Sequence, residues 1–400
     1  MAPDRVAAAA AQDRRARTAV AVLFLTNGAV FATLLPRYPE IKADLALSNA
    51  VFGAAIAAFS AGALAAGLTA GALIRRFRSA RVAVIGTTGI AAFVLAAGVA
   101  PTAATLAGAL FLAGACDAVT DVAQNAHGLR VQRRYGRSII NSFHAVWALG
   151  AILGGLTGAA AIALTVSRAV HLGAVGIVLS AVVLVAYRYL LTGPDHDDRD
   201  DSAPTRSTGA AGAGVYATLL ALVVIAVAGA VVEDAGSSWA TLYLRDGLGA
   251  PGALAAFGYV ALVGFMFVGR LIGDPLVDRF GERAVVRAGA FITTAGMGAA
   301  LAFPSVPGTI AGFAAAGFGV ATVIPSAMHR ADQLPGLRAG TGLTVVTWLM
   351  RIGFFVAPLV VGLVADAASL RVGLLSVPVA GVAVMLLAGA LSARGRPSRS

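Results

Sequence analysis

Two carboxylates and two amides sit within one long apolar run: Asp117, Asp121, Gln124 and Asn125. On a helix, Asp117, Asp121 and Gln124 share one face, and Asn125 stands one turn beyond Asp121. Ionisable side chains inside an apolar span are costly and by default mark a function. Two carboxylates one turn apart in a low dielectric cannot both ionise cheaply, so one of them is expected to hold a proton. Taking up and releasing a proton is what coupling to a proton gradient requires. The competing reading of these residues is a set of hydrogen bonders satisfied between helices. His144, with Asn141 one turn before it and Trp147 just after, is of the type that would share a proton with Asp121.

Other polar residues interrupt apolar runs elsewhere. Glu233 and Asp234 close one run and are followed by Ser237, Ser238 and Trp239. Asn27 lies in the first run, and Thr344, Thr347, Trp348 and Arg351 lie in a late one. A buried guanidinium keeps its charge, so Arg351 requires an acidic partner or an anionic ligand. Arg270 and Asp274, one turn apart, are expected to pair with each other as part of a gate. His127 and His329 stand near the ends of runs and are expected at the membrane interface. The single cysteine, Cys116, excludes a disulfide within the chain, and its apolar neighbours predict a packed small hydrophobe.

The elements that must hold these residues follow from composition. Of 400 residues 58% are hydrophobic and 12% charged, with a mean hydropathy of +0.84. Soluble domains carry about 25% charged residues, so lipid is the expected solvent for this chain. Apolar runs between charged breaks fall at 18–36, 50–74, 82–100, 104–127, 140–163 and 168–191. Six more fall at 214–234, 252–273, 284–303, 308–328, 340–363 and 372–392. Backbone polar groups in hydrocarbon must be satisfied within the segment, so each run predicts a helix. The expected fold is an all-α membrane protein of twelve transmembrane helices in two pseudo-symmetric six-helix halves.

Of the 30 Lys and Arg residues, 23 fall on one side of the membrane if the N-terminus is cytoplasmic; five fall on the other. Clusters such as Arg75, Arg76, Arg78 and Arg81 dominate the inner side, which predicts that both termini are cytoplasmic. The net charge of +11 is thus spread as topology signals, and a nucleic-acid partner is not expected. The expected organisation is an N-terminal tail (1–17), a first half (18–191), a cytoplasmic linker (192–213), a second half (214–392) and a C-terminal tail (393–400). The first run is read as an uncleaved span rather than a signal peptide. The acid run at 195–201, with His196 inside it, reads as a solvated linker and not a metal site. No phosphate-binding loop, HExxH or other catalytic cluster occurs, so neither an enzyme nor a cofactor is expected.

The two halves echo each other. GALIRRFRSAR (71–81) follows the second run, and GDPLVDRFGER (273–283) follows the eighth. The later loop resembles the signature of the major facilitator superfamily at Gly273, Leu276, Asp278, Arg279, Gly281 and Arg283. The earlier copy departs from it, with Arg75 in place of the acid and Arg78 in place of the glycine. Physically, Gly273 allows close helix approach, and Asp278 and the arginines can pair with each other and with helix ends. The resemblance implies that these residues serve gating rather than solute binding. The stretches 121–155 and 233–250 resemble a bacterial group distantly allied to the fucose-permease branch. In that branch an acid four residues before an Asn occupies the fourth span, as Asp121 and Asn125 do here.

Two departures matter. Leu110 stands where many proton-coupled facilitators carry an arginine before Gly114, and the fifth run keeps Gly150, Gly154 and Gly158 without the proline of drug antiporters. Resemblance and residues together lead to a secondary transporter of a small polar organic solute, coupled to protons and working by alternating access in the bacterial cytoplasmic membrane. The family default is a monomer, with the solute, protons and the bilayer as partners. Efflux of a drug or natural product is the alternative within the class. A non-transporting sensor or scaffold is the alternative outside it.

Overall fold

The computed structural model describes residues 3–135, 139–191, 193, 212–337 and 340–391; the side chains of residues 3–11 and Asn141 fall outside the description. The acid run at 195–201, most of the expected linker and residues 392–400 also lie outside it. Among the described residues the chain is helical and without strands, and 12 helices are long and apolar enough to cross a membrane. They are α1 (Gln12–Asp44), α2 (Asn49–Gly67), α3 (Ser79–Gly98), α4 (Ala103–Tyr135), α5 (Ser142–Ala163) and α6 (Arg168–Tyr187), then α7 (Ala213–Gly247), α8 (Gly252–Phe280), α9 (Glu282–Ala302), α10 (Val306–Asp332), α11 (Thr341–Ala367) and α12 (Leu370–Ala390). Each overlaps one apolar run, but α7 continues past the expected end at 234 to Gly247, so Glu233 and Asp234 lie within it and do not close it.

The first helix differs from expectation at its start. It begins at Pro3 and runs unbroken to Ala32, so the stretch expected to be a separate tail is mostly one helix with α1. Alanines at 7–11 are the strongest helix formers and explain the extension. Near its entry, Asp13 pairs with Arg134 of α4 at 2.9 Å. Side-chain caps set other starts: Ser167, Ser305 and Ser369 accept the N–H groups of Val170, Gly308 and Val372 at α6, α10 and α12.

The chain divides into two compact units, residues 1–47 with 54–197 and residues 48–53 with 198–400. In the first, α1 packs on α5, and α3 packs on α4 and α6. In the second, α7 packs on α11, and α9 packs on α10 and α12, the same pairing six helices later. That repetition is the pattern of a duplicated transporter half. The first turn of α2 belongs with the second unit, where Asp366 of α11 accepts the backbone N–H groups of Asn49 and Ala50, both at 2.8 Å. Nothing in the local sequence around Asp366 announces this cap.

Glycines set the closest contacts, as membrane helices lacking a hydrophobic drive require. A Cβ on Gly28 of α1 would stand 2.1 Å from the Trp147 carbonyl oxygen of α5. A Cβ on Gly150 would stand 2.1 Å from that of Leu25, and one on Gly154 would stand 2.4 Å from that of Ala29. The α1–α5 seam is therefore a backbone-on-backbone contact. Cys116 packs as expected, its sulfur 3.1 Å from where a Cβ on Gly89 of α3 would be.

The two short loops after α2 and α8 share a backbone turn. Gly281 joins α8 to α9 with φ +85° and ψ +151°, and Arg78 takes φ +75° and ψ +146° between the helix Ala70–Phe77 and α3. This region suits glycine, and a residue with a Cβ there is strained by about 1–3 kcal/mol. Arg81, three residues after Arg78, donates to the Tyr187 hydroxyl (3.2 Å), and Arg283, two residues after Gly281, donates to the carbonyls of Gly389 (2.7 Å) and Leu391 (3.1 Å). Each loop arginine thus ties down the end of its unit's last helix. Arg78→Gly is expected to stabilise the protein by about 1 kcal/mol after the greater chain entropy of glycine is counted. A thermal-unfolding comparison in detergent checks this; an unchanged or lower Tm contradicts it.

Candidate functional site

The polar residues of the first unit meet at α1, α4 and α5. Asn27, 4% exposed, is the hub. Its Nδ2 donates to Asp117 Oδ1 at 3.1 Å, and its Oδ1 accepts from Trp147 Nε1 at 2.8 Å. A longer bond of 3.4 Å reaches that oxygen from Gln124 Nε2, which also approaches Asp121 Oδ1 at 3.5 Å. One turn along α4, Asn125 Nδ2 donates to Asp121 Oδ1 at 3.0 Å and to its backbone carbonyl at 2.8 Å. Asn125 Oδ1 lies 3.2 Å from His144 Nε2.

Two parallel relays result, each running from a ring N–H on α5, through an amide, to a carboxylate on α4. One is Trp147–Asn27–Asp117 and the other His144–Asn125–Asp121, with fully buried Gln124 between them. The chemistry fixes the orientations. Each carboxylate takes the amide NH2, so each amide oxygen faces α5, and His144 must carry a proton on Nε2 to donate to it. Asp117 and Asp121 are half-buried, whereas His144 is exposed. The His144 ring meets Phe24 edge-on at 5.2 Å, and Phe24 stacks on Phe143 at 5.4 Å. Gln124 Oε1 is buried without a hydrogen-bond partner among the described residues, an unused acceptor at the centre of the cluster.

The structure therefore brings Asn27, Asp117, Asp121, Gln124, Asn125 and His144 together, and it adds Trp147 as a direct participant. His144 reaches Asp121 through Asn125 and not by its own contact. Asn141 takes no part in the description, its side chain lying outside it.

In the second unit the pattern is different. Glu233 in the last turn of the helix Ala213–Asp234 pairs with Arg270 of α8 at 3.2 Å. The expected Arg270–Asp274 pair is not made: Asp274 is exposed and has no ion pair among the described residues. A partner on the neighbouring helix offers a drier contact than one turned outward on the same helix. Asp234, 8% exposed, accepts from Ser238 Oγ at 3.0 Å, and its Oδ2 has no partner among the described residues. Beyond it α7 widens into π turns at Ala235–Trp239 and Tyr243–Gly247, and buried Trp239 Nε1 is also unpartnered. Such π turns recur where helices carry function. They could not be read from apolar periodicity.

On α11, Trp348 is 50% exposed, and half-buried Arg351 makes no hydrogen bond or ion pair among the described residues. The loop residues expected to form one charged network do not. Among the described residues Asp278 is exposed and makes no ion pair, Arg279 lies over the Phe280 ring at 5.3 Å, and of these residues only Arg283 reaches a helix end. Gly273 does what its spacing implies, since a Cβ there would stand 2.8 Å from Thr322 Cγ2 of α10. His127 corrects an expectation: it is fully buried rather than interfacial. Its Nε2 accepts the Leu191 N–H at 3.2 Å, so Nδ1 carries the proton toward Ser79 Oγ at 2.9 Å. His329 is exposed, as expected, and lies 3.8 Å from Glu282.

Comparison with known proteins agrees with the twelve-helix fold. The family model described as Major Facilitator Superfamily matches residues 20–275. An uncharacterised transporter, y4wD, of Sinorhizobium fredii is 31% identical over 373 residues, covering 92% of this chain and 97% of the relative. The crystal structure of the nucleoside transporter NupG superposes with a TM-score of 0.69 at 14% identity, over 95% of this chain and 98% of that one. That of the Major Facilitator Superfamily transporter FucP gives 0.59 at 18% identity, over 93% and 97%. The chain belongs to the Major Facilitator Superfamily, and its fold and relatives are those of transporters, not enzymes.

Proposed function

Given that membership, we propose that the protein is a proton-coupled secondary transporter of a small polar organic solute, working by alternating access. The observation that carries this reading is the paired relay on α4. Two carboxylates one turn apart on a single span are each presented with an amide that in turn meets a ring nitrogen of α5. Asp121 is assigned the coupling proton, because its relay ends on His144, the group exposed to exchange protons. Asp117, Asn27 and Trp147 supply the fixed donors and acceptors that a solute rich in hydroxyls or amides would match. Asn125 links the two functions.

In the second unit, Glu233, Asp234 and Arg351 are assigned to solute or proton handling because each is a costly ionisable group within a span, and Trp348, three residues before Arg351, is assigned with them. The loop residues Gly273, Asp278, Arg279, Gly281 and Arg283, with Arg270 and Asp274, are assigned to gating. The arginine bias of the loops favours cytoplasmic termini and residence in a bacterial cytoplasmic membrane. Amides and acids rather than aromatic rings dominate the first unit's cluster, which favours a polar solute over an apolar drug.

Exchange across proteoliposomes tests the role of Asp121, because exchange of solute for solute needs no net proton movement. Asp121→Asn is expected to keep exchange and lose accumulation driven by an imposed pH gradient. Loss of both together, or of neither, contradicts the assignment.

A further inference from the structure

On the second unit, α8, α9 and α10 enclose an apolar groove of about 380 Å³. Its floor is glycine: Gly269 and Gly273 on α8, Gly289 on α9 and Gly319 on α10. These glycines bring the helix backbones too close for side chains to fill the space between them. A Cβ on Gly289 would stand 2.3 Å from the Gly319 carbonyl oxygen, and one on Gly269 would stand 2.6 Å from the Ala321 methyl. Leu276, Phe280, Val285, Ile292 and Phe318 make the walls, and Thr322 supplies the single hydroxyl of the lining. Phe280, Ala284 and Ala288 are exposed, so the groove is open at its side rather than sealed in the core.

Three observations choose the occupant. The groove follows α8 from Gly269 to Phe280, a rise of about 17 Å at 1.5 Å per residue, close to the ~15 Å of one leaflet's hydrocarbon. The lining helices are spans, so the medium beside the opening is acyl chain. Two arginines flank the end at Phe280 and Ala288: Arg279 and Arg287 are exposed and make no hydrogen bond or ion pair among the described residues. Arg283 between them is already committed to the carbonyls of Gly389 and Leu391. An apolar slot one leaflet long with unpaired cations at one end is complementary to a single amphiphile with an anionic head.

We propose that this groove holds one acyl chain of an anionic phospholipid, with the headgroup phosphate on Arg279 and Arg287. The acyl chain covers the shallow apolar floor that the close-packed glycines form and so stabilises this unit. This site is separate from the relays on α4 and does not depend on the solute or coupling ion.

The test is native mass spectrometry of the delipidated full-length protein, titrated with phosphatidylglycerol and, separately, phosphatidylcholine. The expected result is one phosphatidylglycerol bound at least about tenfold more tightly than phosphatidylcholine, accompanied by a raised Tm. Arg279→Gln with Arg287→Gln is expected to weaken phosphatidylglycerol by roughly thirty-fold while leaving phosphatidylcholine unchanged. Ala288→Phe, which fills the groove, is expected to abolish the preference; Ala284→Leu serves the same purpose if that variant fails to purify as a single species. Arg188→Gln, an exposed arginine of the other unit, is the control and is expected to bind as wild type does. Equal binding of the two lipids overturns the proposal. So does a preference that survives either the arginine or the groove variants, which would assign the lipid to another surface.

Discussion

Replacing Asn27 with leucine is expected to lower solute transport by about a hundredfold. Leucine has similar bulk but neither donates nor accepts. Asp117 Oδ1 then loses its donor at 3.1 Å, and Trp147 Nε1 loses its acceptor at 2.8 Å. Gln124 loses its longer bond as well. A donor left without its acceptor inside the bundle, as Trp147 Nε1 then is, costs about 1–3 kcal/mol. The damage spreads because Gln124 connects the two relays, so the Asp121 arm is disturbed from a residue it does not touch. Initial rates of uptake into proteoliposomes, normalised to folded protein, measure the effect. A variant that transports at the wild-type rate would show that the hub is scaffolding and not part of the site.

The second large effect is expected from Gly150→Leu. Gly150 has no side chain because the Leu25 carbonyl oxygen occupies that space, 2.1 Å from where a Cβ would lie. Even alanine requires the α1 backbone to move, and leucine must part α1 from α5. Overpacking of this kind costs about 1–3 kcal/mol. Here it also acts on the site, since Trp147 sits three residues before Gly150 and its 2.8 Å bond to Asn27 crosses the same seam. The expected result is a lower Tm for Gly150→Ala, and for Gly150→Leu a further loss of Tm together with loss of transport. A fully active Gly150→Leu protein would contradict the backbone-on-backbone seam.

Much of this is legible in the amino-acid sequence itself. The spans were legible because lipid imposes long unbroken apolar runs, and each run became a helix. The α4 cluster was legible because carboxylates and amides at helical spacing have little reason to sit in hydrocarbon. Gly150 and Gly154 were legible from their four-residue interval.

What failed to show had a common cause, which is that the partner lay on another helix. Arg270 was matched with Asp274 because they are one turn apart, yet its acid is Glu233, 37 residues away and reachable only through packing of α8 on α7. His127 looked interfacial because basic residues follow it, yet Ser79 and the Leu191 N–H give it a polar niche inside the bundle. Trp147 was noticed as a neighbour of His144, but its bond to Asn27 depends on glycine contacts between α1 and α5. Arg78 was seen to replace a motif glycine, and only the backbone reveals that it keeps the glycine conformation.

The central claim is that solute movement is tied to proton movement through Asp121. The direct measurement places purified protein in liposomes with a pH-sensitive dye inside and adds sugars, polyols, nucleosides, amino acids or drugs, with wild type and Asp121→Asn side by side. The account predicts that one class of polar solute changes the interior pH for wild type and that this change disappears in the variant. Solute entering wild-type liposomes with no change in pH, and entering the variant equally well, would contradict it and leave Asp121 as a hydrogen bonder between helices.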